Sequence, residues 1–415
     1  MKVLWTSNML FPEAAAALGL PEPVAGGWMT SLADDLVHAG IELGVASLYN
    51  GSTLRIFRTE KAAYYLIPTS LWTRYYYKPS LKPVWERILA DFKPDLIHIH
   101  GSEYAFPLSL IEVAPHVPTA VSLQGLMSVY IRYYMAQIPR GIALRYHTLS
   151  DTVHLSGFFE VWLSYKLRSR MEIRLLKSVR HVIGRTEWDY ANSLAVNPAL
   201  TYHRCGESLR DPFYTYRWDP ASMENHSILT SQATHPIKGL HLLLAALRLL
   251  KDRYPDLRLY VSGPKIVGGS GARAHTGYGK YIRRLIQDYG LEDIVSFTGP
   301  LNAKAMAGRM AGVNVFVLPS AIENSPNSLG EAQLVGTPCV ASYVGGVPDM
   351  AADGEDALLY DYRETAVLAQ KIAQIFDDEA LALRLSEAGR KSAAVRHSRE
   401  KNLSDLLGIY ESILK

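Results

Sequence analysis

Short apolar runs recur along the chain with amphipathic stretches of helical period between them. This alternation predicts βαβ units and parallel sheets rather than a sandwich or a helical bundle. In the first half the predicted strands are 2–7, 41–47, 64–67, 95–100, 119–123, 181–186 and 201–205; in the second they are 227–231, 258–263, 294–299, 314–319, 338–342 and 357–360. Between the two sets lies 211–226, DPFYTYRWDPASMENH, a polar stretch with two prolines that reads as a domain boundary. After it the pattern restarts with a strand, a turn bearing proline and glycine, and a helix on which Leu243, Ala246, Leu247 and Leu250 fall at helical spacing. The expected fold is α/β, with two Rossmann-like, doubly wound parallel-sheet domains at 1–218 and 219–397. An interdomain cleft is expected between the carboxyl ends of the two sheets, where open α/β sheets bind ligands.

Composition agrees with two cores. The chain has 415 residues, 48% of them hydrophobic, and single cores stop growing near ~250 to 300 residues. Its 43 Lys and Arg against 40 Asp and Glu leave a net charge of +3, which gives no reason to expect nucleic acid. Cys205 and Cys339 are the only cysteines and stand outside any CxxC or Cys/His cluster, so neither a disulfide framework nor a structural zinc is indicated, and a reducing cytoplasm fits. No apolar stretch approaches the ~18 to 20 residues of a membrane span. The richest, 241–250, is too short and carries Arg248; the opening residues read as a first strand, not a signal peptide.

The segment 318–342, LPSAIENSPNSLGEAQLVGTPCVAS, carries the most chemistry. A buried strand is expected to end at Pro319, with Ser325 as N-cap and Pro326 at the first helical position. Glu323 then lies on the turn before the helix, and Glu331 about five residues past Pro326, roughly 7.5 Å along the axis. The N–H groups near Asn327, Ser328 and Leu329 could hold a phosphate, favoured by the helix dipole. Two acceptor-only carboxylates suit the hydroxyls of a sugar and a ribose, so a nucleoside diphosphate sugar fits. Taken alone, the pair reads equally as a loop charge and a solvent-facing helical glutamate.

The pattern as a whole is more specific. Glu323 and Glu331, eight positions apart, are followed by Gly336-Thr-Pro-Cys-Val and Gly345-Gly346, and this resembles the donor site of the family 4 retaining glycosyltransferases of GT-B fold. Gly26-Gly27-Trp28 resembles that family's glycine loop, Pro94-Asp-Leu-Ile-His-Ile-His-Gly101 its strand ending in histidine, and Ile237-Lys238-Gly239 its diphosphate-neutralising lysine. The closing stretch 398–415 resembles its terminal helix, which returns to the first domain. The resemblance implies Glu323 and Lys238 as catalytic residues, and Gly26, Gly27, Gln124, Gln232, Asn327, Ser328, Leu329 and Glu331 as donor-binding residues. His100 and Glu207 would line the cleft. It also implies a UDP- or GDP-type sugar as co-substrate with no other cofactor and no metal.

Two positions depart from the family. Gln124 stands in Ser122-Leu-Gln-Gly125 where many members have histidine, and it cannot shuttle a proton near neutral pH. The family's usual mechanism lets the leaving phosphate take the acceptor proton, so the loss need not abolish catalysis. Upstream of Lys238 the usual arginine is missing, leaving Gln232 or His235 to fill its place.

Other constellations have plainer readings. His98 and His100 share one face of a strand, but no third ligand stands at metal spacing. The glycines at 268–271 and 277–279 do not complete a P-loop and read as a loop near the donor. Glu207 reads equally as half of a boundary salt bridge. The stretch 158–181, with six Lys or Arg against two Glu among aromatic residues, and the cluster Tyr75-Tyr-Tyr-Lys78 read either as peripheral contacts with anionic membrane or as solvated faces of packed helices.

The function expected from all this is sugar transfer from a nucleoside diphosphate to a glycan or lipid-linked glycan, in bacterial-type surface polysaccharide synthesis, in the cytoplasm or at the inner face of the membrane. The alternatives are an inverting transferase or epimerase of the same fold, and a nucleotide-sugar-binding assembly subunit with little turnover.

Overall fold

A computed structural model describes residues 1–21, 27–69, 76–231, 233–267 and 276–415. The chain divides into two compact units, Met1–Ile131 with Ser164–Ser208 and His397–Lys415, and Arg132–Leu163 with Leu209–Arg396. The sequence reading divides the chain at 218 and again at 397, with 398–415 returning to the first domain; the chain changes unit after residues 131, 163, 208 and 396.

The first unit is built on an eight-stranded sheet: β1 (Lys2–Ser7), β2 (Glu42–Tyr49), β3 (Arg55–Arg58), β4 (Ala62–Pro68), β5 (Leu96–His100), β6 (Thr119–Ser122), β7 (His181–Gly184) and β8 (Thr201–Arg204). Their order is β3-β4-β2-β1-β5-β6-β7-β8. All neighbours pair in parallel except β3, which returns antiparallel to β4 with Arg55 opposite Leu66. The sequence reading lacks β3, whose RIFR alternation is too short to register and whose burial is partial, as suits an edge strand. Covered on both faces, β1, β2 and β5 are buried along nearly their whole length. The terminal helix Arg399–Leu414 completes this core with Leu406, Ile409, Tyr410 and Ile413. Its Tyr410 hydroxyl accepts from Trp5 Nε1 at 3.0 Å and lies 2.6 Å from His98 Nδ1.

In the second unit β9 (Glu224–Ser231), β10 (Arg258–Ser262), β11 (Val295–Gly299), β12 (Val313–Leu318), β13 (Cys339–Ser342) and β14 (Leu358–Tyr360) are ordered β11-β10-β9-β12-β13-β14, all parallel. This is a doubly wound sheet with its switch point between β9 and β12. The stretch expected as a linker is packed: Trp218 Nε1 donates to Val313 O at 2.7 Å, and its backbone N–H to Val335 O.

Arg132–Leu163 is an excursion from the first half of the chain that folds onto this unit. Asp151, fully buried, accepts the Gly277 N–H on both carboxylate oxygens at 3.0 Å and so caps the helix Gly277–Asp288. The carboxylate fills the terminus that the glycine pattern offers to a phosphate.

Candidate active site

Lys238 and Glu323 follow β9 and β12, the two strands that flank the switch point of the second sheet. Lys238 ends a single 3-10 turn, Pro236–Lys238, and Gly239 closes it at φ 73°. A side chain at Gly239 would bring a Cβ within 1.9 Å of Pro319 O, so glycine is what lets this turn lie against the end of β12. The Ala321 N–H donates to Ile237 O at 2.8 Å and ties the two loops together. In consequence Lys238 Nζ sits 2.6 Å from Glu323 Oε1. The same carboxylate oxygen accepts from Ser320 Oγ at 2.7 Å, and Gly346 N–H donates to Glu323 O at 3.1 Å. Glu323 is buried while Lys238 keeps 29% of its side chain exposed, so the cation is the member of the pair that an incoming anion can reach.

The helix carrying Glu331 starts one residue later than expected. It spans Asn327–Val335, with Pro326 as N-cap and no side-chain cap, because Ser325 Oγ turns to Met350 Sδ. The Leu329 N–H is already bonded to Pro326 O at 3.0 Å, which narrows the expected phosphate cradle to Asn327 and Ser328. Asn327 Oδ1 is buried without a partner among the described residues. Glu331, 7% exposed, does not face solvent: Arg210 holds its Oε1 through Nη2 at 2.7 Å and Nε at 3.2 Å. Burial raises the Glu331 carboxyl above its ordinary value and Arg210 pulls it back. Sequence reasoning missed Arg210, because nothing in the spacing of residues 121 positions apart signals the pair.

Beside the Glu323 loop opens a cavity of about 610 Å³, which reaches Ile322 and Gly345 and is lined by Tyr133, Tyr343, Tyr360 and Tyr362. The Tyr360 hydroxyl is buried and lacks a partner among the described residues, and Tyr343 is 62% exposed. This volume is in the range of small-ligand sites. The four tyrosines come from three separate stretches, around 133, 343 and 360–362, which hid them from the sequence reading.

The first unit gathers its own predicted residues. Gln124 Nε2 donates to Glu207 Oε1 at 2.9 Å, and Arg185 donates from Nη2 to Leu123 O at 2.6 Å and to Gln124 Oε1 at 3.3 Å. Arg185 also forms a buried ion pair with Glu207. Both ends of the Gln124 amide are thereby fixed, and the ion pair of Glu207 lies within the first unit. Arg185 is the second residue that sequence reasoning missed. His100 lies at the end of β5, buried, with no partner for either ring nitrogen among the described residues, next to a cavity of about 30 Å³ that Arg185 and Glu207 also line. Burial pushes its imidazole well below the ordinary value, so it stands neutral. Its neighbour His98 is committed, to Tyr410 and to Ser122 Oγ at 2.7 Å, and is pushed down to about 3 by burial.

Gly26, Gln232, Tyr75 and the glycines 268–271 lie outside the described residues, and Gly27 is the first residue of the helix Gly27–His38. Among the described residues no three His, Cys, Asp or Glu gather to hold a metal ion, and no helix is long and apolar enough to cross a membrane. Two of the six cations in 158–181 are engaged locally. Arg168 Nε donates to Glu103 O at 2.8 Å with its guanidinium over Tyr104, and Arg174 pairs with Glu112 at 2.6 Å and lies over Tyr77.

Comparison with known proteins centres on the unit that holds Lys238 and Glu323. Residues 216–392 match the family model of glycosyl transferases group 1. The D-inositol 3-phosphate glycosyltransferase of Streptomyces avermitilis is 34% identical over 160 residues, 38% of this chain and 34% of that protein. Its counterpart from Corynebacterium urealyticum is 31% identical over 180 residues, 43% of this chain and 41% of that protein. The chain thus spans well under half the length of these curated relatives. In structure, sucrose-phosphate synthase from Thermosynechococcus elongatus aligns with a TM-score of 0.72 at 19% identity, covering 100% of this chain and 99% of that one. Anabaena HepE, solved in complex with UDP and glucose, aligns at 0.70 and 15% identity, covering 99% of this chain and 100% of that one. The fold is GT-B.

Proposed function

We propose that the protein is a retaining glycosyltransferase that moves a sugar from a UDP- or GDP-type nucleotide sugar to a glycan or lipid-linked glycan, in surface polysaccharide synthesis at the inner face of a membrane. The observation that carries the reading is the Lys238–Glu323 pair at the switch point of the second sheet, next to a helix N-terminus without a side-chain cap, inside the segment similar to group 1 glycosyl transferases.

In this reading the diphosphate rests on Lys238 and on the N–H groups of Asn327 and Ser328, which meet the negative charge that grows as the sugar leaves. Glu323 stands at the sugar. The bond from C1 of the sugar to the phosphate oxygen breaks, the acceptor oxygen bonds C1 on the same face, and its proton passes to the departing phosphate. No side-chain base is called for, in keeping with Gln124 at the position where histidine is usual. The tyrosine-lined cavity beside Glu323 supplies flat faces and a hydroxyl in need of a partner, which suit a sugar ring.

Incubation with a panel of UDP-, GDP- and ADP-sugars, with the product anomer read by NMR, tests the reading. Retention of configuration is expected, and inversion would move the protein to another mechanism. Donor binding without transfer or hydrolysis would favour an assembly subunit. Activity is expected to survive EDTA; a loss restored by a divalent ion would overturn the metal-free mechanism.

Glu331 is assigned to the ribose, so Glu331→Ala is expected to weaken donor binding by roughly 1.5 to 3 kcal/mol with a smaller effect on turnover. Arg210, half-buried, would then lose its partner, so Arg210→Ala is measured beside it by calorimetry with UDP. Unchanged affinity in a folded Glu331→Ala protein would remove this residue from the nucleotide.

A further inference from the structure

Arg132–Leu163 has an inner face and an outer face of different character. The inner face is fixed to the second unit by Asp151 on Gly277, by Tyr146 against Tyr281 at 5.3 Å between ring centroids, by Phe158 against Tyr278 at 6.1 Å, and by His241 Nε2, 2.7 Å from Ala136 O. The outer face is apolar. Leu144 is 65% exposed, Leu149 82%, Val153 69%, Leu155 52% and Leu163 49%. Of thirteen large apolar side chains exposed among the described residues, these five fall within residues 144–163, so they form a local concentration rather than the scattered exposure usual on soluble surfaces. Leu149 and Val153 lie one turn apart on the same face of the helix Leu149–His154.

The exposed charge of the segment has one sign. Arg132, Arg140 and Arg145 are exposed. The two carboxylates of the segment are withdrawn, Asp151 into the cap on Gly277 and Glu160 onto His147 at 2.8 Å. A segment whose exposed side chains are aliphatic and whose exposed charges are arginine matches the headgroup region of an anionic bilayer. It is a poor match for a protein partner, whose binding hot spots favour aromatic anchors and under-represent Leu and Val.

We propose that the outer face of Arg132–Leu163 is a docking surface for an anionic membrane, with the Leu and Val side chains seated at the boundary between headgroups and acyl chains and the arginines on lipid phosphates. This deepens the lipid-facing part of the function proposed above and rests on it for its purpose, but not for its test. The docking surface is distinct from the cations of 158–181, of which Arg168 and Arg174 are already engaged within the protein.

Sedimentation of the full chain with vesicles decides it. Binding to mixed phosphatidylcholine and phosphatidylglycerol vesicles is expected, weaker at high salt and weaker still on phosphatidylcholine alone. The triple variant Leu149→Ser, Val153→Ser, Leu155→Ser alters exposed positions only, and is expected to keep its circular dichroism and donor binding while its partition onto anionic vesicles falls at least about 10-fold. Arg140→Ala with Arg145→Ala should lower binding to anionic vesicles and leave the neutral ones unchanged. No binding at low salt, or equal binding by the triple variant, overturns the proposal. So does a wild-type dimer that the triple variant turns monomeric in light scattering, which would assign the face to a second copy. Sugar transfer to a water-soluble acceptor that persists without vesicle binding would sink the surface and leave the transferase reading standing.

Discussion

Replacing Lys238 with alanine is expected to lower sugar transfer at least about 100-fold, and Glu323→Ala to do the same, because each removes a group aimed at charge or geometry that develops as the sugar leaves its diphosphate. The structure adds a condition. The two side chains meet at 2.6 Å, and Glu323 is buried, so removing Lys238 also leaves a carboxylate whose remaining side-chain donor is Ser320. Groups that touch do not contribute independently. The double variant Lys238→Ala, Glu323→Ala should therefore lose far less than the product of the two single losses. Glu323→Gln separates charge from shape: it keeps the volume and the approach of Ser320 while ending the ion pair, and should resemble Glu323→Ala in turnover. Single-turnover transfer with variants checked for folding is the measurement. Activity within a few-fold of wild type in either single variant would take that residue out of the reaction.

The same pair shows how far the sequence carries. Both residues stand out from their local context, Lys238 before a glycine at the start of a helix and Glu323 after a buried strand, and each follows a strand with an apolar centre, Ile228-Leu229 in β9 and Val315–Leu318 in β12. Runs of that kind are legible because a strand covered on both faces has almost no polar positions. The edge strand β3 was not legible, since two apolar residues between arginines make no pattern. What the sequence could not show is where partners come from. Arg210 reaches Glu331, Arg185 reaches Glu207 and Gln124, and Asp151 reaches Gly277 from 22 to 126 positions away. Such contacts depend on which unit a segment joins. The excursion Arg132–Leu163 has ordinary amphipathic spacing, and only its packing reveals that one apolar face is covered and another is bare.

Gly345→Ala is expected to destabilise the protein by about 3 kcal/mol and to cut transfer by about 100-fold, although residue 345 carries no functional group. Gly345 sits at φ 53°, and a Cβ there would lie 1.9 Å from Glu323 O. That neighbour is backbone, so no rotamer change relieves the overlap; either the 343–347 loop or the Glu323 turn must move. The next residue makes movement of the loop costly, because Gly346 N–H donates to the same carbonyl at 3.1 Å. Displacing the turn by the needed ångström would carry the Glu323 carboxylate away from Lys238. Gly354→Ala is the control, with φ 76° but nothing within 4 Å of the added Cβ. It should show only the left-handed backbone penalty of about 1 to 2 kcal/mol, with transfer unchanged. Urea unfolding and single-turnover transfer, run on both variants, separate strain from collision. If the two behave alike in transfer, the close approach of Gly345 to Glu323 has no part in holding the site.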